Sequence, residues 1–474
     1  MRSKLIVGSV IGIVTIMVVI FAINFYNLLN SPKLIDFNPQ VSNRALPIPN
    51  LLAPFKTDGN TSEYEIIVQA GTTNFIGDMQ TPTMGYNGSF LGPVIKVNRG
   101  EEIRMHVNNE LQVETSVHWH GLEVEGASDG GPHQVLSAGL LWEPVFTINQ
   151  PASTLWFHPH VIGTTATQVY YGLAGLIIVE DENSKSLNLP NDYGVNDIPL
   201  IIQDRSFNKD GSFKYNDNMM DGVVGDYILV NGAITPYLDV KQTKMRFRIL
   251  NGANASNFTL RLNDEDHFHQ IASDGGLLER ALLSRSLFIS PGERAEIIVD
   301  FSKYKKGDVV KLTSDNDLVM TFRVGSEIID NTVIPDVLAT IEKLDVNQVT
   351  AVKTIELDGM GHMVSLNGLQ FDMHRIDDNV SLGAVEIWDI TSLRSMMMSS
   401  PGHPFHIHGT QFQVLSRNGN EPRENEKGWK DTVFVRSGET VRIIVQFKYK
   451  GIFMYHCHIL EHEEAGMMGQ LKVE

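Results

Sequence analysis

Four short histidine-rich segments constrain this chain more than any other feature of its sequence. Together they hold ten of the sixteen histidines among 474 residues, a clustering that chance does not produce. In chain order, the segments contain His118 and His120; His158 and His160; His403, His406 and His408; and His456, Cys457, His458 and His462. Every segment lies before residue 161 or after residue 402, so a site that uses all four must be built from both ends of the chain.

The spacing inside these segments indicates several metal ions rather than one. In an extended strand, residues i and i+2 project from the same face about 6.6 Å apart. Two imidazoles at that distance cannot comfortably bind one ion at about 2 Å each, so each His-x-His pair should serve two neighbouring ions. Four pairs supply eight imidazoles, which suffice for two ions with three ligands and one ion with two. The sequence therefore predicts a compact site for three metal ions.

The single cysteine, Cys457, predicts a second, mononuclear site. Without another cysteine it forms no intrachain disulfide, and strand alternation turns its sulfur away from the face that carries its two histidine neighbours. Two imidazoles, one thiolate and a weak axial thioether make a blue-copper electron-transfer site. His403, His462 and Met467 are the candidate partners. An electron that reaches Cys457 would then have a short covalent path to the three-metal site.

The body of the chain consists of short alternating strands, each bounded by Gly, Asn or Asp, with little helical periodicity. Examples are residues 65–68, 103–107, 245–249 and 441–445. Weak self-similarity between the turns that precede two of these strands predicts an all-β fold with about three copies of one β-sandwich. We expect these copies to span residues 61–182, 195–328 and 350–474.

The N-terminus carries a targeting signal. Residues 5–23 are 19 consecutive residues without a formal charge, nearly enough to cross a bilayer core of about 30 Å. Arg2 and Lys4 precede them and keep that end in the cytoplasm. We therefore predict an uncleaved transmembrane signal anchor in residues 1–30, with a cleaved signal peptide as the alternative, and an extracytoplasmic body, periplasmic or at the cell surface. Residues 31–60, with five prolines, predict an extended tether.

The charge balance excludes one class of partner. Lys and Arg number 38 against 56 Asp and Glu, which gives a net charge of -18. Such a chain repels phosphate backbones, so nucleic-acid binding is not expected. It attracts small cations instead.

The four segments, in this order and with these spacings, resemble those of the multicopper oxidases, the family of laccases, bilirubin oxidases and bacterial copper-tolerance oxidases. The resemblance implies three cupredoxin-like Greek-key β-sandwich domains, of which the outer two jointly hold a trinuclear cluster and the middle one spaces them. It also implies four copper ions: one type 1, one type 2 and two type 3. The implied reaction couples four one-electron oxidations of a reductant to the reduction of O2 to water.

The resemblance also implies a role for each site residue. His118 and His406 match type 2 ligands; His120, His158 and His458 match one type 3 site and His160, His408 and His456 the other; His403, Cys457, His462 and Met467 match the type 1 site. Met468 is a rival axial ligand. Asp129 and Glu463 resemble the family's proton-relay acids, although Asp129 could be a plain turn residue and Glu463 a solvated surface charge.

The reductant is less constrained. We expect electrons to enter through an exposed imidazole edge of His403 or His462. The acidic surface favours Cu(I), Fe(II) or Mn(II), while phenols and aromatic amines remain open, and the methionines at 396–398 could form a Cu(I) docking patch or simply fill a gap. Three alternatives to an oxidase are a nitrite-reductase-like electron-transfer protein, a copper-buffering envelope protein without turnover, and a non-catalytic relative that stabilises an envelope assembly. The pair His267 and His269 copies the spacing without further ligands and is interpreted as structural.

Overall fold

The computed structural model is built almost entirely of strands, which confirms the predicted all-β fold class. It describes residues 44–216, 220–240, 243–263, 266–325, 332–394 and 401–474. The predicted signal anchor at residues 1–30 lies outside the described residues. Within the described ranges, no helix is both long enough and apolar enough to cross a membrane.

The first stretch of chain forms a sandwich of two sheets. Its strands are β1 Leu51–Leu52, β2 Lys56–Asp58, β3 Thr61–Thr73, β4 Thr81–Tyr86, β5 Val94–Asn98, β6 Glu102–Asn109, β7 Leu141–Trp142, β8 Val145–Thr147, β9 Ser153–Phe157 and β10 Gly175–Glu180. One sheet has the order β1-β5-β10-β9, and the other has the order β2-β3-β6-β7, with β4 on β3 and β8 on β6. Alternate residues such as Ile66 in β3 meet Ile177 in β10 in one buried core.

Part of the segment predicted as a tether belongs to these sheets. Leu51 and Leu52 pair in parallel with Val94 and Ile95, and β2 forms a hairpin with β3. Local composition showed the prolines of this segment but not its distant strand partner in β5. From residue 51 onward the segment is therefore paired with the strands that follow it.

The middle stretch forms a second sandwich. Its strands are β11 Asp197–Arg205, β12 Tyr227–Val230, β13 Ala233–Ile234, β14 Tyr237–Val240, β15 Lys244–Asn251, β16 Phe258–Leu262, β17 Phe268–Ser273, β18 Gly276–Ser284, β19 Leu287–Ile289, β20 Arg294–Asp300, β21 Val309–Ser314 and β22 Asp317–Val324. The two sheets have the orders β13-β12-β11-β15-β20-β17-β18 and β14-β22-β21-β16-β19. Phe247 and Phe322, one from each sheet, pack together in the core with ring centroids 5.1 Å apart.

The third stretch forms the last sandwich and carries the cysteine. Its strands are β23 Val349–Met360, β24 Met363–Leu366, β25 Asp378–Val380, β26 Val385–Ser392, β27 Gly402–Ile407, β28 Phe412–Arg417, β29 Thr432–Arg436, β30 Thr440–Gln446, β31 Gly451–Cys457 and β32 Met468–Val473. The sheet orders are β24-β23-β26-β30-β28 and β25-β32-β31-β27-β29. Cys457 and Met467 both lie in the buried core of this sandwich, beside Trp388.

Short helices and close backbone contacts join the first and third stretches. The helices are α1 Thr165–Tyr171, α2 Glu182–Ser186 and α3 Leu460–Glu464, with 3-10 turns at Gly126–Ser128, Val346–Gln348 and Glu424–Glu426. Ala166 and Val169 of α1 pack on Leu460 of α3. Gly126 donates its N–H to Lys450, and a Cβ on Gly451 would lie 2.5 Å from the Cα of Gly126, so this approach requires glycine.

The four strands predicted from alternation are confirmed. They lie within β3, β6, β15 and β30. Each of the six sheets takes its strands from a single stretch of the described chain. The exact domain bounds stay a prediction.

Candidate metal centre

The four histidine-rich segments come together where strands of the first and third stretches end. His118 donates its backbone N–H to the carbonyl of His158 at 2.8 Å, which sets the first two segments side by side. His406 of β27 lies opposite His456 of β31 in an antiparallel pair. The two halves then meet through stacked imidazoles, with ring centroids 3.7 Å apart for His118 with His408 and for His120 with His406.

Eight imidazoles form one buried group, which we call the histidine cluster. Its members are His118, His120, His158, His160, His406, His408, His456 and His458, each at most 1% exposed. Within the four His-x-His pairs the ring centroids lie 5.1 to 6.0 Å apart. This spacing agrees with the expectation that neighbours in a pair face the same side without sharing one ion.

Backbone carbonyls fix the tautomer of half of the cluster. The Nδ1 groups of four members donate to main-chain oxygens at 2.8 to 3.0 Å: His118 to Asp129, His158 to Pro159, His406 to Asp431 and His456 to Cys457. A carbonyl only accepts, so the proton must lie on Nδ1. The lone pair of each Nε2 is thereby directed into the cluster, as in metal-binding histidines.

The inward nitrogens have close neighbours but no donors. Nε2 of His456 lies 3.1 Å from Nε2 of His408 and 3.2 Å from Nε2 of His160. Among the described residues, Nε2 of His118, Nε2 of His406 and both ring nitrogens of His458 have no hydrogen-bond partner. Buried nitrogens are normally paired, and cations between these lone pairs would satisfy them. The cluster therefore fits bound metal ions.

His120 is held the opposite way round from those four imidazoles. Its Nε2 donates outward to Oδ1 of Asp431 at 3.1 Å, and its Nδ1 lies 3.4 Å from Nε2 of His158 inside the cluster. The ring of His458 lies 5.0 Å from that of His120 between centroids. The structure thus brings the three predicted ligands of one type 3 site together.

The other predicted ligand sets are also brought together. The ligand atoms of His160, His408 and His456 lie within 4.8 Å of one another, and His118 and His406 lie in a similar group with His408. Burial lowers the pKa of most cluster members well below the ordinary histidine value, and lowers the pKa of His456 to about 3. Neutral imidazoles with free lone pairs are the form that binds metal ions.

A second group lies around the cysteine, in the core of the third sandwich. Sγ of Cys457 is 3.6 Å from Nδ1 of His403 and 3.9 Å from Nδ1 of His462. Met467 is fully buried in the same core, and its carbonyl accepts the N–H of Cys457 at 3.0 Å. Burial raises the pKa of the thiol, so a thiolate here needs a bound cation to stabilise it. This donor set fits a soft metal ion such as copper.

The expectation of an exposed imidazole edge is wrong. His403 is 2% exposed and His462 is fully buried. Nε2 of His462 donates to the carbonyl of Met220 at 3.1 Å, and the N–H of Gly361, in the turn between β23 and β24, donates to the same oxygen at 2.8 Å. Met220 belongs to the middle stretch, and no local pattern around the histidines could reveal that it covers them.

Two other patterns in the sequence are the methionines at 396–398 and the pair His267 and His269. The methionines at 396–398 lie outside the described residues. His267, which directly precedes β17, accepts a hydrogen bond from Nε of Arg285 at 3.0 Å. Neither it nor His269 belongs to a described group of metal-binding residues.

The two predicted relay acids are buried against the histidine cluster. Oδ2 of Asp129 lies 2.8 Å from Nδ1 of His408, and the two carboxyl oxygens of Glu463 lie 3.4 Å from Nδ1 of His160 and 3.3 Å from Nδ1 of His456. Each acid is 2% exposed, so Glu463 is not a solvated surface charge. Burial raises the pKa of Glu463 well above its ordinary value. A cavity of about 130 Å³ adjoins Glu463 and is lined by His160 and Glu464 among others.

Sequence reasoning missed a third acid at the cluster. Asp431 is fully buried and accepts hydrogen bonds from His120, from Arg294 at 2.7 Å and from Gln411 at 2.8 Å. It precedes Thr432 without any metal-binding spacing, so among 56 acidic residues no sequence signal selected it.

Comparisons with known proteins identify the family. Three family models described as multicopper oxidase match residues 67–184, 179–310 and 340–474. "Multicopper oxidase mco" of Staphylococcus aureus is 40% identical over 440 residues, 92% of this chain and 94% of that protein. The chain belongs to the multicopper oxidase family. It is therefore a copper-dependent oxidoreductase that couples oxidation of a reductant to reduction of O2, as the sequence resemblance implied.

Other relatives of this oxidase carry different names. "Cell division protein FtsP" of Escherichia coli (strain K12) is 34% identical over 450 residues, 90% of this chain and 92% of that protein. The crystal structure of a laccase from Pediococcus acidilactici Pa5930 superposes with a TM-score of 0.89 at 42% identity, covering 92% of this chain and 94% of the laccase. The oxidase thus has the cupredoxin-like fold of its family.

Proposed function

We propose that this oxidase holds four copper ions, one at the cysteine and three within the histidine cluster. The proposed ligands are His403, Cys457, His462 and Met467 for type 1; His118 and His406 for type 2; His120, His158 and His458 for one type 3 ion; and His160, His408 and His456 for the other. The observation that carries this proposal is the set of buried imidazole nitrogens that face one another without donors. When bound, four coppers supply the four electrons that reduction of O2 to water requires.

Met467 is the better supported axial ligand. It shares the buried core of Cys457, whereas Met468 lies opposite His456 in the β31–β32 pair and lines the cavity beside Glu463. The two methionines therefore have different surroundings. Cys457, for its part, joins both sites through the backbone, because its neighbours on either side belong to the histidine cluster.

We assign the proton supply to Asp129 and Glu463. Burial raises the pKa of Glu463, so its carboxyl can hold a proton beside Nδ1 of His160. It can then donate that proton during the reduction of O2. Asp129 contacts His408 with one oxygen, and among the described residues its Oδ1 has no partner. The cavity beside Glu463 gives water a place next to that acid.

For the reductant, we propose a metal ion, with Cu(I) first. The chain carries a net charge of -18, which attracts cations. Met220, whose carbonyl accepts from Nε2 of His462, is 37% exposed. Met363, two residues beyond Gly361, is 75% exposed. Thioethers are soft ligands that select Cu(I). Electrons would then enter at Met220 rather than at a bare imidazole.

The cellular location and the domain division predicted from the sequence are also part of this proposal. The oxidase would be extracytoplasmic, with residues 1–30 as its anchor, and its three cupredoxin-like domains would span residues 61–182, 195–328 and 350–474. Support comes from the charge-free segment behind Arg2 and Lys4 and from the confinement of each described sheet to one stretch.

Oxygen uptake by the copper-supplied full chain tests this function. Cu(I), Fe(II), Mn(II) and a phenol are offered in turn, with Cys457→Ser as the matched control because it removes the sulfur and little volume. We expect O2 consumption without release of hydrogen peroxide, faster with the metal ions than with the phenol, and none above background for the control. A protein that binds copper and consumes no O2 would be a copper buffer, and equal uptake by Cys457→Ser would refute the proposed role of the thiolate.

A further inference from the structure

The middle sandwich holds no histidine of the cluster, yet one of its turns reaches the cluster. We propose that the turn formed by Gly292, Glu293 and Arg294, which we call the β20 turn, positions two ligands of one type 3 copper, His120 and His458. This inference rests on the proposed ligand sets and assigns the middle sandwich a part in the site beyond that of a spacer. Arg294 acts as a positioning residue through Asp431, not as a residue that touches the metal.

Several hydrogen bonds hold the side chain of Arg294 in one position. It is fully buried, and its guanidinium makes a two-pronged ion pair with Asp431, with Nη1 donating to Oδ1 at 2.7 Å and Nη2 donating to Oδ2. Nε donates to the carbonyl of Thr154 at 3.1 Å, and Nη1 also donates to the carbonyl of Gly292 at 2.9 Å. Bonds from one guanidinium thus tie together the middle, first and third stretches.

The ion pair decides which nitrogen of His120 faces the cluster. Oδ1 of Asp431 accepts from Arg294, from the hydroxyl of Thr432 at 2.9 Å and from Nε2 of His120 at 3.1 Å. A carboxylate held by an arginine can only accept, so His120 must carry its proton on Nε2. Its Nδ1 then carries a lone pair that points toward His158. A metal ligand needs this orientation.

The same turn packs against His458. Gly292 has φ +82°, and a Cβ at this position would lie 2.8 Å from Cδ2 of His458. The imidazole therefore rests on bare backbone, and Arg294 holds that backbone through the Gly292 carbonyl. His458 has no hydrogen-bond partner on either ring nitrogen among the described residues, so packing is what orients its ring.

Further contacts fix the β20 turn against the third sandwich. The backbone N–H of Arg294 donates to Oδ1 of Asp274 at 2.8 Å, and Nζ of Lys430 lies 2.8 Å from Oδ2 of the same carboxylate. Lys430 also pairs with Glu293 at 3.0 Å. These buried charges pair across the boundary between the middle and third stretches. The β20 turn therefore cannot shift without leaving one of these charges unpaired.

Arg294→Gln tests the proposal, with Arg248→Gln as the matched control. Arg248 is 3% exposed and lies on the neighbouring strand, where its ion pairs go to Asp197 and Glu296 and not to the cluster. Both variants break a buried arginine pair. The readouts are copper per chain, the blue band of the cysteine site, the melting temperature and the electron paramagnetic resonance signal, because a coupled Cu(II) pair is silent and a separated ion is not.

We expect Arg294→Gln to keep the blue band and to bind cluster copper about 10- to 100-fold more weakly, with new resonance signal from uncoupled copper. Arg248→Gln should melt earlier but keep its copper and its coupling. If Arg294→Gln melts like the control and keeps the full copper content and a silent pair, the proposal is overturned.

A second variant serves if Arg294→Gln fails to fold. Arg294→Lys keeps the buried charge without the two-pronged geometry. The proposal predicts uncoupled copper in this variant, and an unchanged silent pair refutes it. A wild type without a blue band would instead refute the proposed function.

Discussion

Three buried carboxylates contact the histidine cluster, and they differ in their partners. Asp431, beside His120, is clamped by Arg294, Gln411 and Thr432. Asp129 and Glu463 contact imidazoles on the other side, and within the described residues neither forms an ion pair with lysine or arginine. One oxygen of each lacks a hydrogen-bond partner there.

One kind of side chain can therefore serve two tasks at one centre. A carboxylate bonded to a buried guanidinium acts as a fixed acceptor that sets a ligand's tautomer. A buried carboxyl with no cation beside it, such as that of Glu463, can take up a proton, because burial disfavours its charged form. We therefore expect substitutions of the two kinds to fail in different ways, one in copper binding and the other in turnover.

The largest expected effect is that of Glu463→Gln on turnover. Glutamine keeps the size of the side chain and an acceptor oxygen but cannot carry a proton. O2 consumption should fall about 100-fold or more, while copper content and the blue band stay at wild-type values. Glu464→Gln is the control, because that neighbour bonds the N–H of Ala166 and should retain nearly full turnover. Wild-type turnover in Glu463→Gln would contradict the relay.

A second pair of variants separates the two classes of carboxylate directly. Asp431→Asn places an N–H₂ group against a donor of Arg294, so it should weaken cluster copper about 10- to 100-fold. Asp129→Asn can still accept from Nδ1 of His408 and should keep its copper while losing turnover. Copper analysis and O2 uptake on the same samples make the comparison. If both variants lose copper equally, the distinction between clamped and free carboxylates does not hold.

A smaller effect is expected at the cysteine site. Met467→Leu should keep the blue band and raise the reduction potential of that copper, because it removes a coordinating thioether. Met468→Leu, which changes the adjacent methionine, should leave the potential where it was. Redox titration followed at the blue band measures both. A shift confined to Met468→Leu would reverse the axial assignment.

The smallest effect concerns the reductant. Met220→Leu should raise KM for Cu(I) severalfold and leave phenol oxidation unchanged, since it removes a soft thioether from the residue whose carbonyl contacts His462. Met79→Leu is the control, because Met79 is 39% exposed against 37% for Met220 but contacts Gly211 instead of the cysteine site. An equal change for Cu(I) and phenol would show that Met220 acts by packing alone.

Many strands and most of the candidate site could be predicted from the sequence, because the sequence patterns that indicate them are local. Alternation located strands such as β6 and β30, and the His-x-His spacing indicated imidazoles that share a face. Contacts between distant residues carry no such signal. The hydrogen bond between Met220 and His462 joins residues 242 positions apart in the sequence, and the bond between Arg294 and Asp431 joins residues 137 positions apart. Both Met220 and Arg294 belong to the middle stretch, which the sequence indicated only as a spacer.

Copper analysis combined with the visible spectrum shows directly whether Cys457 links one copper to three held by the histidine cluster. The full chain and its Cys457→Ser variant are supplied with copper and then freed of loosely bound metal. We predict four coppers per chain and an intense blue band for the wild type, against three coppers and no blue band for the variant. A colourless wild type with well under four coppers, or a variant that stays blue, would contradict the account.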